Sequence, residues 1–247
     1  MGKKPLYRPI PEGSAMYDFH LSAHEYFKSL VLSGNFACVG AISAVKSKKY
    51  AFCAYPDMTA PEIGEAVAHD ILMYKKAFDV DHIMDKKGVS FVSFIAAFKE
   101  PVIPSQMDGV GALYTLLKNV HAADASHFGW ATSASSDPKD KTFAYSVGGD
   151  AYFLPFMYKQ SGSPARQSEI PMVVFNIHTV FAKLREVGAF ESLKQMIHDR
   201  QSWVHPNLAD HGDNPEFVQY ALVDPDDASQ AKEQEIREEI LGTCPFG

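Results

Sequence analysis

The sequence predicts an α+β fold: a single domain with a mixed or antiparallel sheet that includes a β-hairpin and is flanked by helices. Three observations carry this expectation. Segments of helical periodicity alternate irregularly with short β-like runs, not in the strict rhythm of a doubly wound parallel sheet. The run TFAYSVGGDAYFLPFM (residues 142–157) holds two aromatic-rich segments joined through Gly148 and Gly149, a hairpin pattern. Finally, 247 residues of 46% hydrophobic and 12% aromatic content suffice for one substantial core. No internal repeat or long linker divides them.

The elements follow in order. Residues 1–18, rich in Pro, Gly and Lys, read as an arm before a domain at 19–247. SAHE has capping-box spacing and predicts a helix from Ser22, with Gly34 placed to end it. KYAFCAYP (49–56) alternates as a strand does. In residues 59–79, Thr59 is the expected N-cap, and Ile63, Val67, Ile71, Tyr74 and Phe78 share one helical face. VSFVSFIAAF (89–98) is β-like, and residues 107–124 are helical, with Val110, Leu113, Leu117 and Val120 apolar. After the hairpin, PMVVFN (171–176) is a strand feeding the helix IHTVFAKLREVG through Asn176 as N-cap. A polar loop, HPNLADHGDNPE (205–216), follows. The charged stretch near 224–241 is expected to be an exposed helical insertion.

Charge narrows the function. The net charge of -7 argues against nucleic acid as a partner, because phosphate binding needs a clustered Lys/Arg excess. Lys3-Lys4, Lys46 to Lys49 and Lys75-Lys76 read as solvated surface. No run approaches the roughly 18 apolar residues of a membrane span. The opening MGKKPLYRPIPEG lacks the apolar stretch of a secretory signal, and Leu6 breaks the myristoylation pattern. Cys38, Cys53 and Cys244 form no CxxC pair and suggest neither a disulfide framework nor a zinc knuckle, so a cytoplasmic home is expected.

Several constellations are candidates for chemistry. The loop gathers His205, Asp210, His211 and Asp213, and His211-x-Asp213 has the spacing of a facial-triad iron site, with His121 or His178 as the third ligand. The same loop also reads as local Asx turns. His121 precedes Asp124 by three positions, so a carboxylate can orient the imidazole as ligand or base, or the two can be a plain helix-surface pair. His178 falls in the first turn of a predicted helix, where the dipole favours a neutral ring. Trp130 reads as core. Cys38-Val39-Gly40 sets a thiol among small residues, leaving room for something flat, which is the local requirement of a thiolate-ligated haem. As a nucleophile Cys38 is less favoured, since nothing nearby in sequence lowers its pKa.

The chain resembles the YqcI/YcgG family, and within it the haem-dependent N-hydroxylases of the guanitoxin-pathway type. The similarity runs collinearly through CVGAISAV, FVSFIAAF, LLKNVHAAD, SSDPKDKTFAYSVGGDAYF, VFNIHTVFAKLREVGAFE, NLADHGDNPEFVQY and the terminal CPF. It implies a haem b monooxygenase that hydroxylates a guanidine or amine nitrogen of an amino-acid-like molecule with dioxygen or peroxide, leaving an electron-transfer partner and a homodimer open. It also implies a cofactor set of Cys38, Gly40, Tyr158 and Arg166. Cys38 is the axial ligand, with His178, His121 and Tyr158 as alternatives, and Arg166 pairs a propionate. His121, Asp124 and His178 form the catalytic set, and Asp124 or Asp137 holds a cationic substrate. Two departures stand out: Phe156-Met157-Tyr158-Lys159 replaces the family's Gly-Leu-His-Pro, and Ala37 replaces a common Pro. The rival expectations are a non-haem iron oxygenase built on the His211 loop and a non-catalytic haem-binding protein.

Overall fold

A computed structural model of the chain describes residues 12–79, 84–85, 88–89, 91–140, 142–204 and 217–241. The first half runs α1 (Ala15–Val31), α2 (Val39–Ser47), β1 (Tyr50–Asp57), α3 (Pro61–Phe78), β2 (Met84–Asp85), β3 (Gly88–Val89), β4 (Ser93–Glu100) and α4 (Gln106–Asp124). The second half runs β5 (Tyr145–Val147), β6 (Asp150–Phe153), β7 (Phe156–Met157), a 3-10 turn (Pro164–Arg166), β8 (Met172–Ile177), α5 (His178–Glu186), α6 (Phe190–Val204), α7 (Val218–Ala221) and α8 (Asp227–Leu241).

The strands are apolar at both parities, and this decides the layering. Ala51, Cys53 and Tyr55 of β1 enter one core cluster, while Phe52 and Ala54 enter another. β4 divides likewise, Phe94, Ala96 and Phe98 against Ile95 and Ala97. Successive strand side chains face opposite ways, so such strands must be covered on both faces. α1 and α2 supply Ala23, Phe27, Val31 and Val45 to one face. α3 and α4 supply Val67, Ile71, Leu113, Leu117 and Val120 to the other.

The sheet order is β1-β4-β8-β6-β5, with β7 also paired to β8. β1 and β4 are parallel, and the segment joining them contains α3, the kind of crossover a parallel pair needs. The other pairs are antiparallel, so the expected mixed sheet is the one observed, hairpin included. α3 lies hard against α4: a Cβ on Gly64 would come 2.4 Å from the carbonyl carbon of Asn119.

Several expected boundaries move. α1 starts before Ser22, capped by Ser14, whose side chain accepts from the Tyr17 N–H at 3.2 Å. The end of the expected arm is therefore helical, because the apolar face through Phe19, Ala23 and Phe27 runs straight past Ser22. Thr59 is not the cap of α3: Ala60 is, with Pro61 in the first turn, and Asp57 Oδ1 accepts from both the Thr59 N–H and its Oγ1 at 2.8 Å. Asn176 stays in β8, where its Oδ1 accepts from Ser93 Oγ at 2.7 Å, and Ile177 caps α5. α6 adds a helix where none was expected.

The largest correction concerns α8, which is not simply exposed. Glu233 and Arg237 are buried against α4 and its surroundings. Tyr114 of α4 donates to Glu233 Oε1 at 2.5 Å, and Arg237 lies 3.3 Å from the same carboxylate. Arg237 Nη1 also donates to the Pro138 carbonyl at 2.9 Å, and its Cζ stands 3.9 Å from the centre of the Phe217 ring. Composition cannot show this, because each charge is matched by a partner on a distant segment. Among the described residues no helix is long and apolar enough to cross a membrane.

Candidate functional site

FACVGAISA folds into the approach to α2 and the helix itself. Cys38 is the N-cap, in extended conformation, and its Sγ accepts from the Ala41 N–H at 3.4 Å. Arg200 of α6 pins the preceding turn, with Nη2 donating to the carbonyls of Gly34 at 3.0 Å and Phe36 at 3.1 Å. The space at Gly40 is taken by an aromatic ring of this chain: a Cβ there would sit 3.0 Å from Cδ1 of Phe91. Cys38 is half-buried and free. Burial pushes its thiol pKa up, while the Ala41 and Gly40 N–H groups and the Arg166 guanidinium act in the opposite direction. That cation was invisible locally, because it comes from the far side of the hairpin.

Arg166 ends the 3-10 turn. Its backbone carbonyl accepts from the Tyr158 N–H at 3.1 Å, and its own N–H donates to Ser163 O at 2.8 Å. Its Nη1 donates to the Gln219 carbonyl, and its Cζ lies 5.6 Å from the centre of the Phe153 ring. Burial lowers its pKa to about 10, with Cys38 and Tyr158 acting to raise it. Tyr158 is fully buried, stacked on Phe156 at 4.6 Å and pressed on α4, where a Cβ on Gly109 would come 2.6 Å from its ring. Burial and then Asp224 push its phenol upward, against the pull of Arg166.

His178 opens α5 and reaches this neighbourhood through aromatic rings. Its ring centre is 6.4 Å from that of Phe181, which in turn lies 6.5 Å from Phe153. Cys38, Gly40, Tyr158, Arg166 and His178 are thus linked through contacts and charge.

His121 and Asp124 are placed elsewhere. Gly109 touches Tyr158, and at about 1.5 Å per residue His121 lies about 18 Å further along α4. Both carboxylate oxygens of Asp124 accept from the Gly148 N–H at 3.0 Å, and Lys75 Nζ donates to the Gly148 carbonyl at 2.8 Å. Asp124 and Lys75 therefore clamp the hairpin turn, while His121 packs its ring 5.7 Å from Trp130. Burial raises the Asp124 pKa against the pull of the Gly148 N–H, His121, Lys75 and His127. Asp137 is exposed and accepts from the Lys139 N–H at 2.9 Å in a local turn.

No group of three His, Cys, Asp or Glu able to hold a metal ion occurs among the described residues. His205, Asp210, His211, Asp213 and Cys244 lie outside them. A further cluster escaped the sequence reading: His24 Nε2 is 2.8 Å from the Tyr50 hydroxyl, and its ring stacks on Phe52 at 4.8 Å. His20 lies one helical turn earlier, its ring 6.3 Å from that of His24. Their i,i+4 spacing was the available signal, masked by the misplaced start of α1.

The fold and this site define a class: a mixed α+β domain in which a half-buried arginine acts on a helix-capping cysteine. The YqcI/YcgG family model matches residues 27–233, and the chain belongs to that family. No curated protein and no solved structure matches it.

Proposed function

We propose that this protein is a cytoplasmic haem-dependent N-oxygenase acting on a guanidine or amine nitrogen of an amino-acid-like molecule, with Cys38 as the axial ligand of haem b. The observation that carries the reading is the free Cys38 at the cap of α2, its Sγ accepting from the Ala41 N–H while the charge of Arg166 acts on the thiol. Family membership supports it, as does the similarity of this segment to the N-hydroxylase branch. When bound, the haem supplies an iron that activates dioxygen or peroxide for oxidation of nitrogen.

The donor set fits such a group. The Ala41 N–H on Sγ stabilises a thiolate and tempers its electron donation. Burial keeps the free thiol protonated, so metal binding releases a proton. An iron group on Sγ would have Phe91 and Arg166 as neighbours, not bare backbone. Arg166 presents a planar, cationic fork suited to a carboxylate such as a propionate. Phe153 and Phe181 give the surroundings an apolar wall. His178, His121 and Tyr158 remain the alternative ligands.

The test is an absorption spectrum of the hemin-loaded protein after dithionite and carbon monoxide. A band at about 450 nm that Cys38→Ser abolishes is the expected result for thiolate ligation. Failure to bind hemin refutes the cofactor, and a spectrum altered by His178→Ala or His121→Ala but not by Cys38→Ser refutes the ligand.

A further inference from the structure

We propose that Arg166 and Tyr158 form a receptor for one carboxylate group of a small-molecule ligand. The cation is the first argument. Arg166 has five N–H donors, and the partner of its Nη1 is a backbone carbonyl, that of Gln219. No Asp or Glu among the described residues pairs with it. The contrast is Arg237, which is buried and has Glu233 at 3.3 Å. A cation partly withdrawn from water without a carboxylate beside it is costly, and an anionic ligand relieves that cost.

The hydroxyls are the second argument. The Tyr158 hydroxyl, on a residue 0% exposed, has no hydrogen-bond partner. Ser163 Oγ, on a residue 3% exposed, has none either. Buried polar atoms are rarely left unmet, so two unpartnered hydroxyls within residues 158–163 call for an explanation. A carboxylate supplies one: two oxygens for the guanidinium fork and a lone pair for the phenol. Asp224 does not play that part, because it is exposed and acts on Tyr158 without being among the groups that act on Arg166.

The carboxylate has two sources, the main chain of an amino-acid substrate or a propionate of the cofactor. The identity of the occupant rests on the oxygenase reading, but the recognition of a carboxylate does not. The full chain, purified without added haem, is titrated calorimetrically with L-arginine against agmatine and with L-lysine against cadaverine, pairs that differ by the carboxylate. Hemin is compared with hemin dimethyl ester. In at least one pair the acid binds at least about tenfold more tightly, as expected for charge-assisted hydrogen bonds. That preference disappears in Arg166→Gln and falls several-fold in Tyr158→Phe. The second variant removes a hydroxyl that bonds nothing, so its loss of binding is not a loss of fold.

Selectivity in an amino-acid pair assigns the site to substrate, and selectivity in the hemin pair assigns it to a propionate. Equal binding or no binding throughout overturns the proposal, as does an acid preference that survives both substitutions. Hemin uptake without acid selectivity sinks this proposal alone. Acid-selective binding of an amino acid by a chain that never takes up hemin sinks the oxygenase reading alone.

Discussion

Acidification below neutrality should loosen the seat of α1 on the sheet, and His24 should be the main cause. Its ring stacks on Phe52 and bonds the Tyr50 hydroxyl of β1, while Lys28 and His20 on its own helix add positive charge and Glu25 opposes them. Burial first, then Lys28 and His20, lower its pKa from 6.5 to about 4. A histidine that resists protonation in the folded state contributes stability that is complete above 6.5 and is lost as pH falls through about 4. A fully buried group with this shift would contribute about 3 kcal/mol. The ring is only half-buried, and screening reduces the figure to about 1–2 kcal/mol. Urea denaturation followed by circular dichroism, at about pH 7 and about pH 4.5, measures it in the native protein and in His24→Gln. Glutamine keeps a polar group beside Tyr50 but does not titrate. His20, also lowered by burial, stays in both proteins and cancels. The native chain should lose about 1–2 kcal/mol more than the variant. Equal losses would refute the reasoning.

Further substitutions test the packing around α4. Gly64→Ala should cost about 2–3 kcal/mol in urea denaturation, since the added carbon meets Asn119 backbone at 2.4 Å and α3 must part from α4. Gly111→Ala in α4, with nothing within 4 Å, should instead be neutral or stabilise by up to about 1 kcal/mol. Arg237→Met should cost about 3–5 kcal/mol by stranding the buried Glu233 carboxylate, and adding Glu233→Gln should recover most of it; a double variant as unstable as the single one would contradict this.

What the sequence made legible was whatever its own periodicity encodes. The apolar face of Ile63, Val67, Ile71 and Tyr74 and the run through Phe94 to Phe98 identified α3 and β4, because each side-chain pattern repeats at the period of its element. The starts of α1, α3 and α5 were misplaced because Ser22, Thr59 and Asn176 are good capping types with other partners, local for Ser22 and Thr59 and the distant Ser93 for Asn176. Cys38 was recognisable as unusual from its small neighbours. That Phe91 fills the space at Gly40 and that Arg166 acts on the thiol are contacts between segments far apart in the chain, which no local pattern encodes. Likewise His121 and Asp124 were visible as a pair, but the duty of Asp124 depends on where the Gly148 turn comes to rest.

The geometry of α4 turns the choice of iron ligand into a choice between places. Tyr158 sits against Gly109 near one end of the helix, and Asp124 closes the other end against the hairpin. An iron–ligand bond is about 2 Å long, so two ligands of one iron stand no more than about 4 Å apart. The span of about 18 Å between Gly109 and His121 forbids Tyr158 and His121 from sharing one iron. The groups that act on Cys38 are Ala41, Gly40 and Arg166, and those on Asp124 are Gly148, His121, Lys75 and His127. The two sets have no member in common. A substituted ligand therefore reports a location as well as an identity: an iron that answers to Cys38 lies beside the Arg166 fork, and one that answers to His121 lies beside the clamped hairpin.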